Sequence, residues 1–392
     1  MFRVVREVWR YIIYFAGAKK VWSWPRQSDV LIYDVSGYEA LFEHLHSWNP
    51  EFLHVRNEFI NVPVLLVSIF RRGKKIDAYT DCFIEKVRPK LVVTYIDNNI
   101  NFYTISHRHA SVKTMLIQNG ARTYYEDVFE LLDGATPESI DAMAVDYMML
   151  FGTNVGARFS RFIKGNVIPI GSLKNNMLPT THIRQTNVVA FVSQWRKSGF
   201  SLNGIFQTHE SFFRQADKPI IQFLLQYAHE KKKRLTIILV NNKDASDRDD
   251  EEAYFRELVG EDVVFLEPVG AYSSYQAIDM ASVVVGVDST LIYEAAARGA
   301  KTAFFSIRSN LLGIKGRTFG WPSEFLDDGP FWTNHPSVEI FERIIDHLFE
   351  IDDAQWHAQL AEHSFDKVMT YDPGNGILKS ILTKELGSTT NL

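Results

Sequence analysis

The sequence predicts an α/β protein of two domains, each built on a parallel β-sheet. The chain has 392 residues, which is more than one hydrophobic core usually supports. Short apolar runs alternate with helical stretches throughout, a pattern typical of parallel strands that are buried on both faces. A stretch rich in Gly, Ser, Asn, Pro and Thr, from Gly171 to Asn187, interrupts this alternation and separates two arrays of similar size.

Two consecutive arrays of this kind predict two Rossmann-like domains that face each other, followed by helices that brace both. The strands predicted in the first array are Val30–Val35, Phe52–Val55, Leu91–Asp97, Thr114–Gln118, Tyr147–Phe151 and Val167–Ile170. Those in the second are Val188–Val192, Leu235–Val240, Val263–Leu266, Val283–Val287 and Thr302–Phe305. The main predicted helices are Ala78–Lys86, Lys218–Lys231, Ser289–Gly299, Ser337–Leu348 and Asp352–Met369.

These elements divide the chain into three parts. We expect an N-terminal Rossmann-like domain over residues 1–178, a C-terminal Rossmann-like domain over 186–336, and C-terminal helices and a tail over 337–392. The linker between the two domains lies within Gly171 to Asn187, and the cleft opens between them.

Composition excludes several classes of function. The net charge of -5 argues against a nucleic-acid partner, which a basic surface would attract. The single cysteine, Cys82, excludes an intramolecular disulfide and a cysteine-cluster metal site, and favours a cytoplasmic protein. The sequence lacks a phosphate loop, a dinucleotide-binding glycine fingerprint and a zinc-protease motif, so we expect neither a cofactor nor a metal.

The N-terminus has a different character. The segment from Met1 to Trp22 surrounds an apolar run, Tyr11–Ala18, with five cations. That run is shorter than the ~20 apolar residues of a membrane-spanning helix. A basic, aromatic helix of this kind either lies on an anionic membrane surface as a peripheral contact or packs on the first domain. The cations are Arg3, Arg6, Arg10, Lys19 and Lys20.

The strongest candidate site follows the predicted strand Val283–Val287. A helix opens there at Ser289 and Thr290, and its free N–H groups, its dipole and the two hydroxyls suit a phosphate group. Glu294, one turn further on, is placed to contact a ribose or sugar hydroxyl. The simpler interpretation is that Asp288 or Ser289 only caps the helix. We favour the phosphate site because ligands of open α/β sheets bind beyond the carboxyl ends of the strands.

Polar residues also follow the first strand of the second array. Arg196 or Lys197 is suited to neutralise a departing phosphate, a task that many transferases give to a metal ion. The alternative is a solvated loop with ordinary surface charges. The predicted donor-binding residues in this loop are Ser193, Gln194, Arg196 and Lys197.

A third candidate segment contains possible acid–base groups. His209 or Glu210, lining the cleft, is suited to act as a general base, and Glu210 also as a carboxylate nucleophile. Thr208 is equally suited to cap a helix here, and both roles can hold together.

In the first array, polar residues after two strands form a predicted acceptor-binding rim. The rim consists of Asp97, Asn98, Gln118, Asn119 and Arg122. Glu126 and Asp127, beside two tyrosines, are further catalytic candidates acting on an acceptor hydroxyl. Turn formation is the competing explanation, particularly for Asn119 and the glycine after it.

Three segments resemble a bacterial family of surface-carbohydrate biosynthesis proteins. The likeness covers roughly Val30 to Ser306, and more distantly the chain looks like GT-B glycosyltransferases that transfer Kdo, an acidic eight-carbon sugar, from CMP-Kdo in capsule and lipopolysaccharide assembly. The segments are Leu91–Asn99, Met115–Gly120 and Asp288–Ala295, the last followed by Arg298 and Gly299.

The resemblance implies a GT-B-like fold, a CMP- or UDP-sugar donor, a glycan or lipid-linked glycan acceptor, cytoplasmic action and no obligatory metal. Its Kdo branch implies a retaining reaction through a carboxylate nucleophile, for which Glu210 and Glu126 are the candidates. Two alternatives share the architecture: a UDP-sugar epimerase, and a non-catalytic protein that binds glycan or nucleotide.

Overall fold

Two six-stranded sheets, parallel throughout, organise the chain. The computed structural model describes residues 17–56, 58–71, 75–180, 185–202, 204–240, 246–260, 263–266 and 272–388. The strands are β1 (Lys19–Val21), β2 (Val30–Tyr33), β3 (Glu51–Leu53), β4 (Phe59–Asn61), β5 (Leu91–Thr94), β6 (Lys113–Ile117), β7 (Ala144–Leu150), β8 (Lys164–Pro169), β9 (Val188–Val192), β10 (Phe200–Leu202), β11 (Ile205–Gln207), β12 (Arg234–Ile238), β13 (Val264–Leu266), β14 (Val283–Gly286), β15 (Thr302–Phe305) and β16 (Trp332–Thr333).

Helices connect these strands and follow the last of them. None of the described helices is both long and apolar enough to cross a bilayer. Their bounds are Glu39–Leu45, Val62–Ile69, Lys75–Val87, Ile105–Arg108, Val128–Asp133, Pro137–Asp141, Thr153–Phe159, Leu173–Met177, His209–Glu230, Arg248–Val259, Ser273–Met280, Thr290–Ala297, Arg308–Leu312, Val338–Glu350, Asp353–Glu362 and Gly376–Leu386.

The strand order of each sheet identifies where a ligand would bind. The first sheet has the order β3-β2-β5-β6-β7-β8, so the direction of strand succession reverses between β2 and β5. The second has the order β13-β12-β9-β14-β15-β16, and the reversal lies between β9 and β14. In open α/β sheets the crevice at the carboxyl end of such a switch point is the usual binding place. The predicted α/β class with parallel sheets is therefore confirmed.

The interior of both sheets explains why the strands were recognisable in the sequence. Every residue of β2, β5, β9, β14 and β15 is buried. Strands covered on both faces must be apolar over their whole length, which produces the continuous runs that the sequence shows. Val188–Val192 and Thr302–Phe305 have the predicted bounds, whereas Leu91–Asp97 ends earlier, at Thr94.

Several elements differ from the sequence prediction. The helix predicted from Lys218 begins at His209 and continues through Pro219, because Thr208 and Ser211 form a capping box and Phe212, Phe213 and Ala216 extend its buried face. The short strands β1, β4, β10, β11 and β16 were not predicted, since two or three residues carry no periodicity.

The N-terminal helix predicted over Met1–Trp22 is wrong at its end. Lys19–Val21 forms β1, which pairs in parallel with β4, because the backbone of Phe59–Asn61 offers it a ladder. The rest of that prediction, over residues 1–16, lies outside the described residues.

The C-terminal helices brace both halves, as predicted. Phe341 of the helix Val338–Glu350 stacks on Phe305 of β15, with ring centroids 4.2 Å apart. The last helix, Gly376–Leu386, returns to the first half, where Leu378 and Leu382 join the core of β2, β5 and β6. The tail therefore ties the first sheet to the second.

This bracing gives a stability prediction. Leu382→Ala should lower the free energy of unfolding by about 2–5 kcal/mol, since it leaves a cavity in the first-half core. Urea denaturation followed by far-UV circular dichroism measures the change. Ser380→Ala, an exposed position on the same helix, is the matched control and should change stability by less than about 0.5 kcal/mol. An equal effect of both substitutions would show that the helix does not brace the first half.

Candidate functional site

The crevice at the switch point of the second sheet contains a buried ionic network centred on Asp288. Asp288 lies two residues beyond β14, and its carboxylate accepts hydrogen bonds from Arg308 and, at 2.9 Å, from Nη1 of Arg317. Burial alone would raise the pKa of Asp288, but the two guanidinium groups hold it well below its usual range. Asp288 is therefore ionised and fixed between two cations.

Arg308 is the fully buried member of this network. Its side chain has no solvent exposure, and it follows β15 at the start of the helix Arg308–Leu312. Its Nη1 also donates to Oε1 of Gln194 at 3.3 Å, and its Nη2 lies 3.8 Å from Oδ1 of Asp217. Burial raises the pKa of Asp217 to about 7, against the opposing influence of Arg308 and of a hydrogen bond from Tyr254. Arg308 thus connects the ends of β9, β14 and β15.

A third arginine, Arg196, approaches the same network from the loop after β9. Its guanidinium lies 5.3 Å from the ring centroid of Phe213, and the guanidinium of Arg308 lies 4.9 Å from the same centroid. Burial and the neighbouring Arg317 and Arg308 lower the pKa of Arg196. Two guanidinium groups therefore bind one ionised carboxylate at the switch point, and a third lies close enough to interact with them electrostatically. An anion is the ligand that this excess of positive charge favours.

The helix Thr290–Ala297 begins next to this network. Ser289 is its N-cap, and the side chain accepts a hydrogen bond from the N–H of Leu291 at 3.3 Å. Oγ1 of Thr290 accepts a hydrogen bond from the N–H of Ala121 at 2.9 Å, so the first half reaches this helix directly. The capping interpretation of Ser289 is thus seen in the structure, and it leaves the helix dipole available to an anion.

A second ionic network lies on the first-half side. Arg122 donates to Asp127 at 3.0 Å and lies 3.3 Å from Oδ2 of Asp97. Oδ1 of Asp97 accepts the N–H of Asn119 at 3.2 Å, and burial raises the pKa of Asp97 to about 6, although Arg122 opposes this. Asp97 is fully buried and therefore holds Arg122 rather than reaching a ligand itself.

A small cavity separates the two networks. Its volume is about 40 Å³, and residues of both halves line it. Arg122 and Gln118 contribute from the first half, and Asp288 and Arg317 from the second, with Trp321 on one wall. The carboxyl edges of the two sheets therefore face each other across this cavity, and cationic side chains lie on both sides.

Most predicted residues of the acceptor rim take part in the first network. Gln118 is buried and has both ends of its amide engaged, donating to the carbonyl of Gly120 and accepting from the N–H of Phe151. Asn119 accepts a hydrogen bond from Arg122 at 2.8 Å, whereas Asn98 is exposed. The rim is thus a hydrogen-bonded loop, and its binding of an acceptor stays a prediction.

Glu294 does not join the Asp288 network. It is buried, accepts hydrogen bonds from Ser172 and, at 3.1 Å, from Tyr275, and burial raises its pKa. Near it, Arg298 binds Asp279 and the carbonyl oxygen of Pro179. Glu294 therefore connects the segment after β8 to the second half.

Three further predicted residues are engaged by other partners. Oγ of Ser193 donates to Glu251 at 2.6 Å. Lys197 binds Asp250 at 2.6 Å, on the helix Arg248–Val259. The Glu210 side chain is 66% exposed and pairs with Arg214 at 3.3 Å. The structure does not bring Lys197 and Glu210 together with the Asp288 network.

The remaining catalytic candidates differ in their surroundings. Glu126 is exposed and has a left-handed backbone, with φ of 57°. Asp127 caps the helix Val128–Asp133 and binds Arg122, which lines the cavity. His209 stacks on Phe213, and burial together with Arg308 and Arg214 lowers its pKa to about 4, so that its ring is neutral near pH 7. His209 packs against Phe213, the same ring that Arg196 lies over. Asp127 is connected to the cavity because Arg122, which binds it, lines the cavity.

Sequence reasoning missed Asp288, Arg308 and Arg317 as site residues. Arg308 had a recognisable pattern, since it follows the predicted strand Thr302–Phe305 by three residues. Arg317 follows Gly316 in a loop far from any strand, and only the folded chain brings it to Asp288. Within the described ranges, no group of three or more His, Cys, Asp or Glu residues is arranged to hold a metal ion.

The fold has counterparts among solved structures. A glycosyltransferase from Rickettsia africae superimposes with a TM-score of 0.50 at 11% identity, over 92% of this chain and 99% of that chain. A UDP-GlcNAc 2-epimerase from Methanocaldococcus jannaschii gives 0.49 at 9% identity, over 91% and 99%. The corresponding enzyme from Neisseria meningitidis gives 0.46 at 11% identity, over 91% and 98%. The likeness to the Rickettsia africae structure, at 11% identity, is a likeness of fold and not of activity.

Two facing parallel α/β halves, joined by the returning C-terminal helix, define a GT-B-like protein. The family model of O-antigen biosynthesis proteins matches residues 115–386, which is more than half of the chain. The chain belongs to this family, and the predicted resemblance to surface-carbohydrate proteins of GT-B type is confirmed. No curated protein matches the sequence.

The Asp288 network gives a pH prediction through Asp217. An aspartate in an unfolded chain has a pKa of about 3.9. Between that pH and about 7 the folded protein keeps a proton on Asp217 that the unfolded chain has lost. This group's contribution to the free energy of unfolding is therefore full at low pH and falls as the pH rises through that window. Asp217→Asn should reduce this loss of unfolding free energy between low and neutral pH.

Urea denaturation of the wild type and of Asp217→Asn at pH 5 and pH 8 measures this difference. Asp249→Asn, an exposed carboxylate at the start of a nearby helix, is the matched control and should keep the wild-type pH dependence. If Asp217→Asn also keeps the wild-type pH dependence, Asp217 is ionised at both pH values. The net positive charge of the network is then lower by one.

Proposed function

We propose that this protein is a nucleotide-sugar-dependent glycosyltransferase that acts in the synthesis of a bacterial surface polysaccharide. The observation that carries the proposal is the pairing of Arg308 and Arg317 with Asp288 at the switch point of the second sheet, with Arg196 as a third cation nearby. An excess of fixed positive charge at this place suits the phosphates of a nucleotide sugar. Membership of the O-antigen biosynthesis family supports the polysaccharide as the destination of the sugar.

The three arginines would have different tasks. Arg317 lines the cavity and Arg196 is exposed, so both can donate hydrogen bonds to donor phosphates. Arg308 is fully buried and would instead hold Asp288, which in turn positions Arg317. When the sugar departs, negative charge develops on the nucleotide phosphate, and prepositioned cations stabilise that charge without needing a metal. The dipole of the helix that Ser289 caps would add to this.

The acceptor would approach from the first half. Arg122 lies on the opposite wall of the cavity from Arg317, and Asp127 binds it. Transfer requires a group that accepts the proton of the acceptor hydroxyl. We assign this role to Asp127 or to the neutral ring of His209, with Glu126 as the exposed alternative. Movement of the two halves would admit the substrates and then exclude water.

The finer identity of the substrates is also proposed. CMP-Kdo is the donor that the family resemblance implies, with a capsule or lipopolysaccharide glycan as acceptor, and UDP-sugars are the other class. We expect the reaction to take place in the cytoplasm without a metal, and the protein to be in peripheral contact with the inner membrane.

The direct test is a nucleotide-release assay with purified protein. CMP-Kdo and common UDP-sugars are supplied separately, with and without a short surface glycan, in the presence of EDTA. We expect release of CMP or UDP that depends on the glycan. Interconversion of the sugar without a glycan would instead identify an epimerase, and saturable binding without turnover would identify a binding protein. Either result would contradict the proposed transfer.

Arg317 provides a test of the phosphate site. Arg317→Ala should weaken nucleotide binding about tenfold to a hundredfold, since a hydrogen bond to a charged group contributes roughly 1.5–3 kcal/mol. Isothermal titration calorimetry with CMP and UDP measures the dissociation constant.

Arg343→Ala is the matched control for this variant. Arg343 is an exposed arginine on the helix Val338–Glu350, and it pairs with Asp328. It does not line the cavity. The Arg343→Ala protein should bind nucleotide as the wild type does. Unchanged affinity in a folded Arg317→Ala protein would remove the phosphate site from this cavity.

A further inference from the structure

An unusual concentration of exposed apolar side chains lies at one end of the first half. Phe70, just after the helix Val62–Ile69, is 88% exposed, and Trp22, just after β1, is 72% exposed. Leu66, Ile69 and Phe70 are three and four residues apart and therefore share one face of the helical segment. The opposite face, with Val64 and Ser68, is buried. The apolar face, as we call it, consists of Trp22, Trp24, Leu66, Ile69 and Phe70.

Backbone pairing places these side chains on one part of the molecule. β1 pairs with β4, and β4 leads directly into the helix Val62–Ile69, so the tryptophans after β1 lie near the start of that helix. The side chain of Asn61, which caps the helix, donates to the carbonyl of Ser23 at 2.8 Å and fixes the chain between the tryptophans.

Two contacts with the helix Lys75–Val87 connect the end of the helical segment at Phe70 with Trp24. Arg71, next to Phe70, forms a paired hydrogen bond with Glu85. The following residue, Lys86, places its ammonium group 4.6 Å from the ring centroid of Trp24. Trp24 and the end of the helical segment therefore lie beside consecutive residues of the helix Lys75–Val87.

The sequence around this face is basic in a chain that is acidic as a whole. Residues 1–26 contain six Lys and Arg residues and one acidic residue, Glu7, and residues 62–75 contain four Lys and Arg residues and no acidic one. The whole chain has a net charge of -5. β1, which carries Lys19 and Lys20, pairs with β4, and β4 leads into the helix that ends just before Phe70 and Arg71, so these described cations lie in the part of the chain that exposes the apolar side chains.

We propose that the apolar face docks on an anionic lipid bilayer. Exposed aromatic and aliphatic side chains can enter the interfacial layer, where tryptophan is especially favoured. Lysine and arginine beside them are attracted by acidic headgroups. Neither a second copy of the chain nor an acidic protein is favoured as the occupant, because exposed indole rings and aliphatic side chains beside a basic stretch of sequence match an interface that is apolar and negatively charged at once. This docking does not depend on the proposed transfer reaction.

Vesicle co-sedimentation with the full chain tests this proposal. Vesicles of phosphatidylglycerol and phosphatidylcholine in equal parts are compared with vesicles of phosphatidylcholine alone. The double variant Leu66→Ser/Phe70→Ser should bind the anionic vesicles about tenfold or more weakly, since two large apolar side chains no longer leave water. Binding of the wild type should fall in high salt, because headgroup attraction is screened.

The chain offers a matched control in the hairpin β10–β11 of the second half. Ile205 and Phe206 are exposed to a similar extent, 64% and 69%, so Ile205→Ser/Phe206→Ser removes comparable apolar surface elsewhere. This control should bind vesicles as the wild type does, and circular dichroism verifies that both variants are folded. Equal binding of Leu66→Ser/Phe70→Ser and wild type, equal loss in the control, or equal binding to neutral vesicles would overturn the proposal. A concentration-dependent dimer abolished by Leu66→Ser/Phe70→Ser, without vesicle binding, would assign the face to a second copy instead.

Discussion

The site depends on one interaction, the ion pair between Asp288 and two arginines. Moving a carboxylate and a guanidinium out of water costs several kcal/mol for each ion, and only close pairing offsets that cost. Asp288 and Arg308 are both buried, so neither can be ionised there without the other. Because Arg317 binds the remaining oxygen of the carboxylate, the loop that carries Arg317 is fixed against the end of β14. The wall of the cavity is therefore a consequence of this pairing.

The strands of both sheets could be predicted from the sequence because a strand buried on both faces is a continuous run of apolar residues. A parallel strand in the middle of a sheet is apolar at each position, as Val188–Val192 is, and no knowledge of its neighbours is needed to recognise it. The order of the strands leaves no such pattern in the sequence. The position of β9 between β12 and β14, which creates the switch point, depends on contacts between residues far apart in the chain.

The same distinction explains which site residues the sequence could supply. Looking just beyond each strand identified Arg196, Ser289 and Thr290, because their position follows from one strand. Arg317 could not be found this way, since its contact with Asp288, which lies 29 positions earlier in the chain, forms only when the chain folds. Glu294 shows a second limit of reasoning from one strand, and its contact with a ribose stays a prediction. It lies on the helix that follows β14, but the rotation of that helix directs its side chain to Ser172 and Tyr275.

The contacts between the two halves are unequal, and this bears on how a ligand would enter. On the side of the segment after β8, Glu294 and Arg298 hold Ser172, Asn175 and Pro179 by buried and part-buried hydrogen bonds. On the side of the cavity, the halves meet through one part-buried hydrogen bond between Thr290 and Ala121, which contributes only about 1 kcal/mol, and through the edge-to-face contact of Trp321 with Phe129. Breaking the first set would cost several buried hydrogen bonds at once, whereas breaking the Ala121–Thr290 bond exposes polar groups to water, which can replace the lost bond. Separation of the halves should therefore begin at Ala121 and Thr290 while the segment after β8 stays attached. The cavity between Arg122 and Arg317 lies on the side that opens, which is where a donor must enter to reach the arginines.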